Sequence, residues 1–196
     1  MQPLKTALPI AIFMAISTTP NAIAQDFYAE GTVGLSGFDF DALDNDDYTM
    51  LGVRFGRNFT SNLAIEGEYA FGVSETNQTI ASFDPINEQS YSIDATSKLN
   101  STYGVYGKAM VPIGNGFTAH ARVGYATTEF ESNSTITYED GTTENRAFND
   151  IDPSLAYGLG TEFNFSEQLY ARADATRYET FGTDVEAYTL GVGFRF

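Results

Sequence analysis

The chain contains no cysteine and no tryptophan, and it is poor in basic residues. The lack of cysteine excludes a disulfide framework and metal sites built from thiolates. Lysine and arginine together number 10 against 26 acidic residues, which gives a formal net charge of -16. Because a polyanion requires a basic surface, nucleic acid is not expected as a partner.

A long apolar run is also missing, since no stretch approaches the length of a transmembrane helix. The N-terminal residues 1–24 instead have the pattern of a secretory signal peptide. Lys5 supplies the positive start, a short apolar run follows, and Ala22-Ile23-Ala24 fits the small-x-small cleavage rule. We expect cleavage after Ala24, with residues 25–196 as the mature domain. A buried N-terminal helix is the alternative interpretation of this segment.

The residues that are abundant, 16 Phe, 12 Tyr and 18 Gly, indicate an all-β protein. Eight segments of about ten residues alternate apolar with polar or small side chains, as transmembrane strands do. These predicted strands are Phe27–Gly37, Tyr48–Arg57, Leu63–Ser74, Leu99–Val111, Phe117–Glu129, Ser154–Phe165, Leu169–Tyr178 and Glu186–Phe196. The sequence therefore predicts an eight-stranded antiparallel up-and-down transmembrane β-barrel.

The connections between these segments alternate in length. The short ones are Asn58–Asn62, Pro112–Gly116 and Ser166–Gln168, and the long ones are Asp39–Asp47, Glu75–Lys98, Phe130–Pro153 and Glu179–Val185. Outer-membrane barrels have short periplasmic turns and long extracellular loops. We therefore expect the long connections to be loops outside the cell.

The period of two does not by itself decide which face is outside, because a soluble lipocalin-like carrier has the same alternation. The apolar face carries aromatic residues at both ends, which suits two membrane interfaces. Those toward the long connections are Tyr69, Tyr103, Tyr125, Tyr157 and Tyr188. Those toward the short turns are Phe27, Phe55, Phe117, Phe163, Phe165, Phe194 and Phe196. We therefore expect lipid outside, and loss of Phe196 should impair assembly of a membrane barrel but not of a soluble one.

The polar face nearly balances its own charge although the chain is strongly acidic. Unpaired buried charges cost several kcal/mol each, so a confined interior favours such a balance. We predict an interior charge network, which includes the single histidine and consists of Glu30, Arg54, Glu66, Glu68, Lys108, His120, Arg122, Glu162, Arg172, Asp174 and Arg195. This network either plugs the barrel, which we favour, or lines a polar path for small solutes.

The remaining acidic residues concentrate in the long connections, above all in Asp39–Asp47. Their carboxylates are a possible site for divalent cations, which would bridge to lipopolysaccharide phosphates. The segment lacks the spacing of an EF-hand, and a solvated acidic loop is the favoured interpretation. Exposed aromatic residues of these connections are candidates for contact with a host or surface ligand. They are Phe38, Phe40, Phe83, Tyr91, Tyr138 and Phe148.

The chain ends with the sequence Tyr188-Thr-Leu-Gly-Val-Gly-Phe-Arg-Phe196, which resembles the C-terminal strand of outer-membrane barrels. The residues that carry this resemblance are Tyr188, Leu190, Val192, Phe194 and Phe196. It implies recognition by the barrel-assembly machinery. The segments Leu63–Tyr69, Tyr157–Phe163 and Leu169–Asp174 look like strands of the small OmpA/OmpX-like "porin family" or opacity-type barrels. This resemblance implies the bacterial outer membrane, with its lipid and lipopolysaccharide as surroundings, but it leaves the function open.

His120 is the one residue that suggests catalysis. Lipid A deacylases that look like this chain pair a histidine with a serine two residues later, and here that position is Arg122. No nucleophile–base pair is therefore visible, and we expect no catalytic residue, no cofactor and no metal. The leading hypothesis is a monomeric, non-enzymatic barrel with a structural or surface-interaction role in the cell envelope. A narrow porin-like channel and, more remotely, a lipid A-modifying enzyme are the alternatives.

Overall fold

The computed structural model describes residues 26–38, 47–84, 89–179 and 184–196. The expected signal peptide and most of the acidic segment Asp39–Asp47 lie outside these ranges. The described residues form antiparallel strands β1 (Phe27–Phe38), β2 (Asp47–Asn58), β3 (Leu63–Gly72), β4 (Glu75–Asp84), β5 (Gln89–Gly114), β6 (Phe117–Tyr138), β7 (Thr143–Asn164), β8 (Leu169–Glu179) and β9 (Val185–Arg195). No described segment is a helix of the length and apolarity needed to cross a membrane.

The strands close into a ring. Strands that are neighbours in sequence pair with each other, except β3 and β4. β9 returns to β1, and β3 pairs with the lower half of β5. β4 continues β3 after a break at Val73 and Ser74, and it pairs with the upper half of β5. The ring therefore has eight members, which confirms the predicted eight-stranded up-and-down barrel.

Short turns join the strands at one rim, as predicted. The β5–β6 turn consists of Asn115 and Gly116, whose φ angles are 54° and 82°. Two central residues with positive φ define the tight hairpin turn that Asn-Gly favours, because its twist matches that of the flanking strands. The other short connections are residues 59–62 and 165–168. We refer to this rim as the short-turn rim.

The prediction of loops at Glu75–Lys98 and Phe130–Pro153 was wrong. The first segment forms β4 and the upper part of β5, and the second forms the upper parts of β6 and β7. Together they make a four-stranded sheet that continues past the ends of the other strands, and we call it the protruding sheet. These segments are rich in Thr, Ser, Asn and acidic residues, so the apolar alternation that identified the other strands is weak in them.

Outward side chains divide the barrel wall into bands. The apolar side chains that were assigned to the outer face are exposed, among them Leu51, Val105 and Leu190. The tyrosines expected at the upper end are all exposed, and they are Tyr69, Tyr103, Tyr125, Tyr157 and Tyr188. At the short-turn rim, Phe117 stacks near Phe163 with ring centroids 4.7 Å apart. The wall thus has an apolar band between two aromatic belts, as expected for lipid contact.

Candidate functional site

The predicted interior network lies inside the barrel. Ten of its eleven side chains are buried, and they are Glu30, Arg54, Glu66, Glu68, Lys108, His120, Arg122, Glu162, Arg172 and Asp174. Arg195, the eleventh, is partly buried at the short-turn rim, where it contacts Glu162 at 2.7 Å. Period-two alternation accounts for this placement, because each of these residues shares the inward parity of its strand.

Arg54 on β2 is the centre of the network. Its guanidinium donates to Glu30 at 2.8 Å, to Asp174 at 2.7 Å and to the hydroxyl of Thr189 at 2.8 Å. It also donates to Glu68 on the adjacent strand β3. The planar guanidinium therefore links residues from β1, β2, β3, β8 and β9, which holds opposite walls of the barrel together.

A second arginine, Arg172 on β8, extends the network toward the short-turn rim. It donates to both oxygens of Asp174 and to Glu66. Lys108 on β5 lies 3.0 Å from Glu66 and 2.9 Å from Glu162. Every buried carboxylate of this region is thus paired with a cation, which offsets the cost of removing the charges from water.

His120 lies inside this network and does not face the lipid side. Its Nε2 is 2.7 Å from Oδ1 of Asp174, a carboxylate already bound by Arg54 and Arg172. Among the described residues, its buried Nδ1 has no hydrogen-bond partner. The arrangement orients the ring, and its hydrogen-bond partner in the described part of the chain is a carboxylate, so His120 matches a member of the network better than a catalytic base.

Tyrosines form part of the interior that the predicted network did not include. Tyr28 donates to Glu66 at 2.6 Å, and Tyr170 donates to Glu30 at 3.1 Å. Lys108 lies 4.5 Å from the centroid of the Tyr28 ring. The signal was available in the sequence, because Tyr28 has the same parity as Glu30 on β1. It was missed because the predicted network was restricted to the charged residues and the histidine.

Above the charges, toward the protruding sheet, an apolar cluster fills the lumen. We call it the upper plug. Its buried members are Tyr48, Met50, Leu99, Tyr106, Ala126, Ala156, Tyr178, Val185 and Ala187, with Phe130 packed against them. Arg122 joins the two layers, since its guanidinium lies 4.4 Å from the Tyr106 centroid and 2.6 Å from Glu68. The upper plug and the charges beneath it occupy the lumen in successive layers.

The opposite end of the lumen is open. A cavity of about 690 Å³ lies at the short-turn rim, lined by residues that include Asn58, Lys108, Met110, Glu162 and Arg195. Lys108, Glu162 and Arg195 are already paired with one another within the network. Among the described residues, no cluster of three or more His, Cys, Asp or Glu side chains is arranged to hold a metal ion.

The protruding sheet reverses the alternation of the barrel below it. Its outer face is polar, with Thr96 donating to Asn77 at 2.7 Å and Thr79 donating to Asp94 at 2.7 Å. On β4, β5 and β6, its inner face carries apolar side chains that include the row Ile80, Ile93 and Ile136. The outward Tyr belt marks the height at which the outer face changes from apolar to polar.

The aromatic residues predicted as loop contacts have different positions. Tyr91 and Tyr138 pack as a cross-strand pair, with ring centroids 6.1 Å apart. Phe83 and Phe148 are exposed on the protruding sheet. Phe40 lies outside the described residues, and Phe38 is described only as the last residue of β1.

Four residues of the proposed C-terminal assembly signal point outwards from β9, and the fifth, Phe196, follows the last residue of that strand. The five residues are Tyr188, Leu190, Val192, Phe194 and Phe196, and all are exposed. β9 is the strand that closes the ring against β1, and Phe27 and Phe196 stack at 6.4 Å where the two strands meet. Recognition of these residues by the assembly machinery stays a prediction.

Comparison with known proteins gives a family and a fold. A family model described as "Outer membrane protein beta-barrel domain" matches residues 6–196. No curated protein sequence matches the chain. The chain resembles the structure of Ail, the attachment invasion locus protein of Yersinia pestis, with a TM-score of 0.56 and 18% identity over 88% of this chain and 99% of that chain.

Two further solved structures are similar. OprG of Pseudomonas aeruginosa has a TM-score of 0.53 at 16% identity, covering 88% of this chain and 96% of that chain. Neisserial surface protein A has a TM-score of 0.51 at 8% identity, covering 88% of this chain and 99% of that chain. At these identities, the likeness establishes the fold.

Proposed function

Because the chain belongs to the family of outer membrane protein β-barrel domains, which implies the bacterial outer membrane, we propose that it is a closed, non-enzymatic barrel acting at the cell surface. The barrel anchors the protruding sheet, and the protruding sheet is the part that contacts other molecules. This role joins envelope structure with surface interaction, and it needs no solute flux through the lumen.

The observation that carries this proposal is the reversal of alternation above the tyrosine belt. Apolar residues face outwards where lipid surrounds the wall, and polar residues face outwards where water does. The outer face of the protruding sheet is mostly polar and hydrogen-bonded, for example between Thr135 and Asn145 at 2.9 Å, and Phe83 and Ile151 are its exposed large apolar residues in the described part of the chain. We therefore place the protruding sheet in water, beyond the upper membrane interface.

The net charge of the protruding sheet limits the chemical class of ligand that it binds. Residues 75–84, 89–98 and 129–153 contain ten acidic residues against two basic ones, Lys98 and Arg146. Ail, one of the similar structures, has been crystallised in complex with the heparin analogue sucrose octasulfate. A polyanion of that kind would be repelled by the protruding sheet of this chain, so we expect no heparin-type binding here.

The channel alternative is disfavoured by the packing of the lumen. Glu68 and Arg122, the residues that would line a path, contact each other at 2.6 Å and lie beneath the upper plug. The open cavity at the short-turn rim ends against Lys108 and Met110. The enzyme alternative is disfavoured because His120 faces the interior and binds Asp174.

Cysteine labelling of intact cells tests the surface role, and the chain has no native cysteine to interfere. Asn133→Cys places a thiol on the exposed outer face of the protruding sheet, and Thr60→Cys places one in a short turn. A membrane-impermeant maleimide should label the first variant on intact cells and the second only after lysis. Labelling of Thr60→Cys on intact cells, with Asn133→Cys protected, would refute the proposed orientation.

A further inference from the structure

In the described part of the chain, one edge of β7 has no partner strand in the protruding sheet. β7 pairs with β6 along its whole length, but its pairing with β8 begins only at Leu155, opposite Glu179. Among the described residues, none pairs with Thr143–Pro153 on the side away from β6, and we call this stretch the free edge. It is eleven residues long, about 36 Å at strand spacing. Only four residues separate Glu179 from Asp184, too few to cover an edge of that length.

The backbone polarity of the free edge follows from the hydrogen bonds at both ends of β7. Tyr138 donates to the carbonyl of Thr142, Asn164 donates to Gly116 on the β6 side, and Phe165 donates to Leu169 on the β8 side. Even-numbered residues of β7 therefore face β6, and odd-numbered residues face the free edge. The edge thus presents the N–H and C=O groups of Thr143, Asn145, Ala147, Asn149 and Ile151.

Pro153 supports this assignment. Proline lacks an N–H and is tolerated within a sheet only where no ladder bond is lost. Because Pro153 is odd-numbered, its nitrogen lies on the unpaired side, two residues before the pairing of β7 with β8 begins at Leu155. The interior of β7 thus accommodates a proline, because no described residue pairs with that side of the strand at Pro153.

The side chains along the free edge favour one class of partner. On the inner face, the residues in sequence are Glu144, Arg146, Phe148, Asp150 and Asp152. Arg146 forms an ion pair with Glu144, with its Nε 3.1 Å from Oε1. Asp150 and Asp152 form no ion pair within the described part of the chain. Phe148 is 64% exposed. Two unpaired carboxylates thus lie next to an exposed aromatic ring, at alternate positions.

We propose that the free edge of β7 binds an extended cationic polypeptide by strand addition. The partner adds a strand antiparallel to β7 and carries Lys or Arg opposite Asp152 and Asp150 and a bulky apolar residue opposite Phe148. Its sequence pattern, from the N-terminus, is basic-x-basic-x-apolar. Main-chain hydrogen bonds supply affinity in this mode, and alternate side chains supply specificity.

A second copy of this chain is a poorer occupant. The chain carries a formal charge of -16, and its protruding sheet is acidic throughout, so two copies repel each other. The acidic side chains along the free edge also oppose edge-to-edge pairing of identical molecules. The same acidic side chains attract a basic partner. The charge of the free edge therefore disfavours self-association and favours the proposed ligand.

The test uses the folded barrel in zwitterionic detergent and a labelled, end-blocked peptide, Thr-Lys-Thr-Lys-Thr-Ile-Thr-Ser-Thr, with binding followed by fluorescence anisotropy. Saturable binding is expected, and the same peptide with Glu in place of both Lys should not bind. Asp150→Asn and Asp152→Asn should each weaken binding about two- to fivefold, the range of a cross-strand charge pair. Equal binding of the two peptides would overturn the proposal.

The decisive variant is Ala147→Pro, because it removes an N–H from the free edge and leaves the ladder with β6 intact. It should weaken binding of the Lys peptide by about tenfold or more, whereas the matched Ala147→Val should change it by less than about twofold. A heat-modifiable gel shift confirms that both variants fold. Unchanged binding to Ala147→Pro would overturn strand addition. This proposal rests on the proposed function, but labelling of Asn133→Cys on intact cells reports on that function independently of the peptide.

Discussion

At the scale of single residues, the interior is held by shared ions. The three carboxylates of Glu30, Glu68 and Asp174 all meet one guanidinium, that of Arg54. Its side chain is 1% exposed, so water does not replace the lost contacts when it is removed. Removing one partner from a buried ionic group is therefore far more costly than removing an exposed ion pair.

Replacement of Arg54 measures this difference. Arg54→Ala should lower the free energy of unfolding by about 3–5 kcal/mol, because three carboxylates lose their shared cation. Arg146→Ala breaks only the exposed pair with Glu144 and should cost about 0–1 kcal/mol. Urea unfolding of both variants in lipid vesicles gives the comparison. A loss below about 1 kcal/mol for Arg54→Ala would contradict a network centred on this residue.

At the tip of the β6–β7 hairpin, a carboxylate is held by backbone donors. The backbone N–H of Thr142 donates to Oδ1 of Asp140 at 2.8 Å, and this lowers the pKa of Asp140 below its ordinary value of 3.8. A lowered pKa means that the ionised carboxylate stabilises the folded turn. This contribution is complete above the unfolded pKa and is lost as the pH falls through the lower folded pKa.

An NMR titration of the Asp140 carboxyl carbon in nanodiscs tests the direction of this shift. Its midpoint should lie below 3.8, and the Thr142 amide should exchange faster with solvent once the carboxyl is protonated. In Thr142→Pro, which lacks the donor, the midpoint should rise toward the ordinary value. A midpoint at or above 3.8 in the unmodified protein would contradict the described hydrogen bond.

At the scale of strands, inward glycines make room for the interior rings. A Cβ built on Gly193 of β9 would overlap the ring of Tyr170, whereas one built on the outward Gly31 of β1 meets nothing within 4 Å. Gly193→Ala should therefore destabilise the barrel by about 1–3 kcal/mol through overpacking. Gly31→Ala should stay within about 1 kcal/mol and favour the folded state.

The pair of glycine variants is measured by the same urea unfolding experiment. Equal stability of Gly193→Ala and Gly31→Ala would mean that Tyr170 has free space beside it. That result would also argue against the two contacts of Tyr170, the hydrogen bond from its hydroxyl to Glu30 and the stacking of the Arg195 guanidinium on its ring.

The strands also show what a sequence pattern does and does not reveal. Within the lipid-facing band, alternation placed Glu66, Arg122 and Arg172 inside, because each face there meets a different solvent. In the protruding sheet, water reaches the polar outer face, so the apolar pattern weakens and the segments appear to be loops. A register irregularity between Leu99 and Ser101 further shifts the inward parity of β5 from even to odd residues.

At the scale of the whole molecule, three layers follow one another along the barrel axis. The cavity at the short-turn rim, the charge network and the upper plug were not equally accessible to sequence reasoning. Charged residues of one parity identified the network. The upper plug was missed because the predicted interior was limited to charged residues and the histidine, and because the irregularity between Leu99 and Ser101 breaks the alternation of β5.

The account as a whole depends on the closure of the lumen. An eight-stranded barrel leaves an interior that side chains are able to fill, and here paired ions and the upper plug fill it. If the lumen is closed, the function lies in the protruding sheet. If it is open, the charged residues around Arg54 line a channel and carry the function.

Single-channel recording in a planar bilayer tests this claim most directly, using mature protein whose folding is confirmed by a heat-modifiable gel shift. We expect a silent bilayer for the unmodified protein and no discrete conductance steps. Reproducible steps whose size changes on Glu68→Gln or Arg122→Gln would contradict the closed lumen and establish the channel.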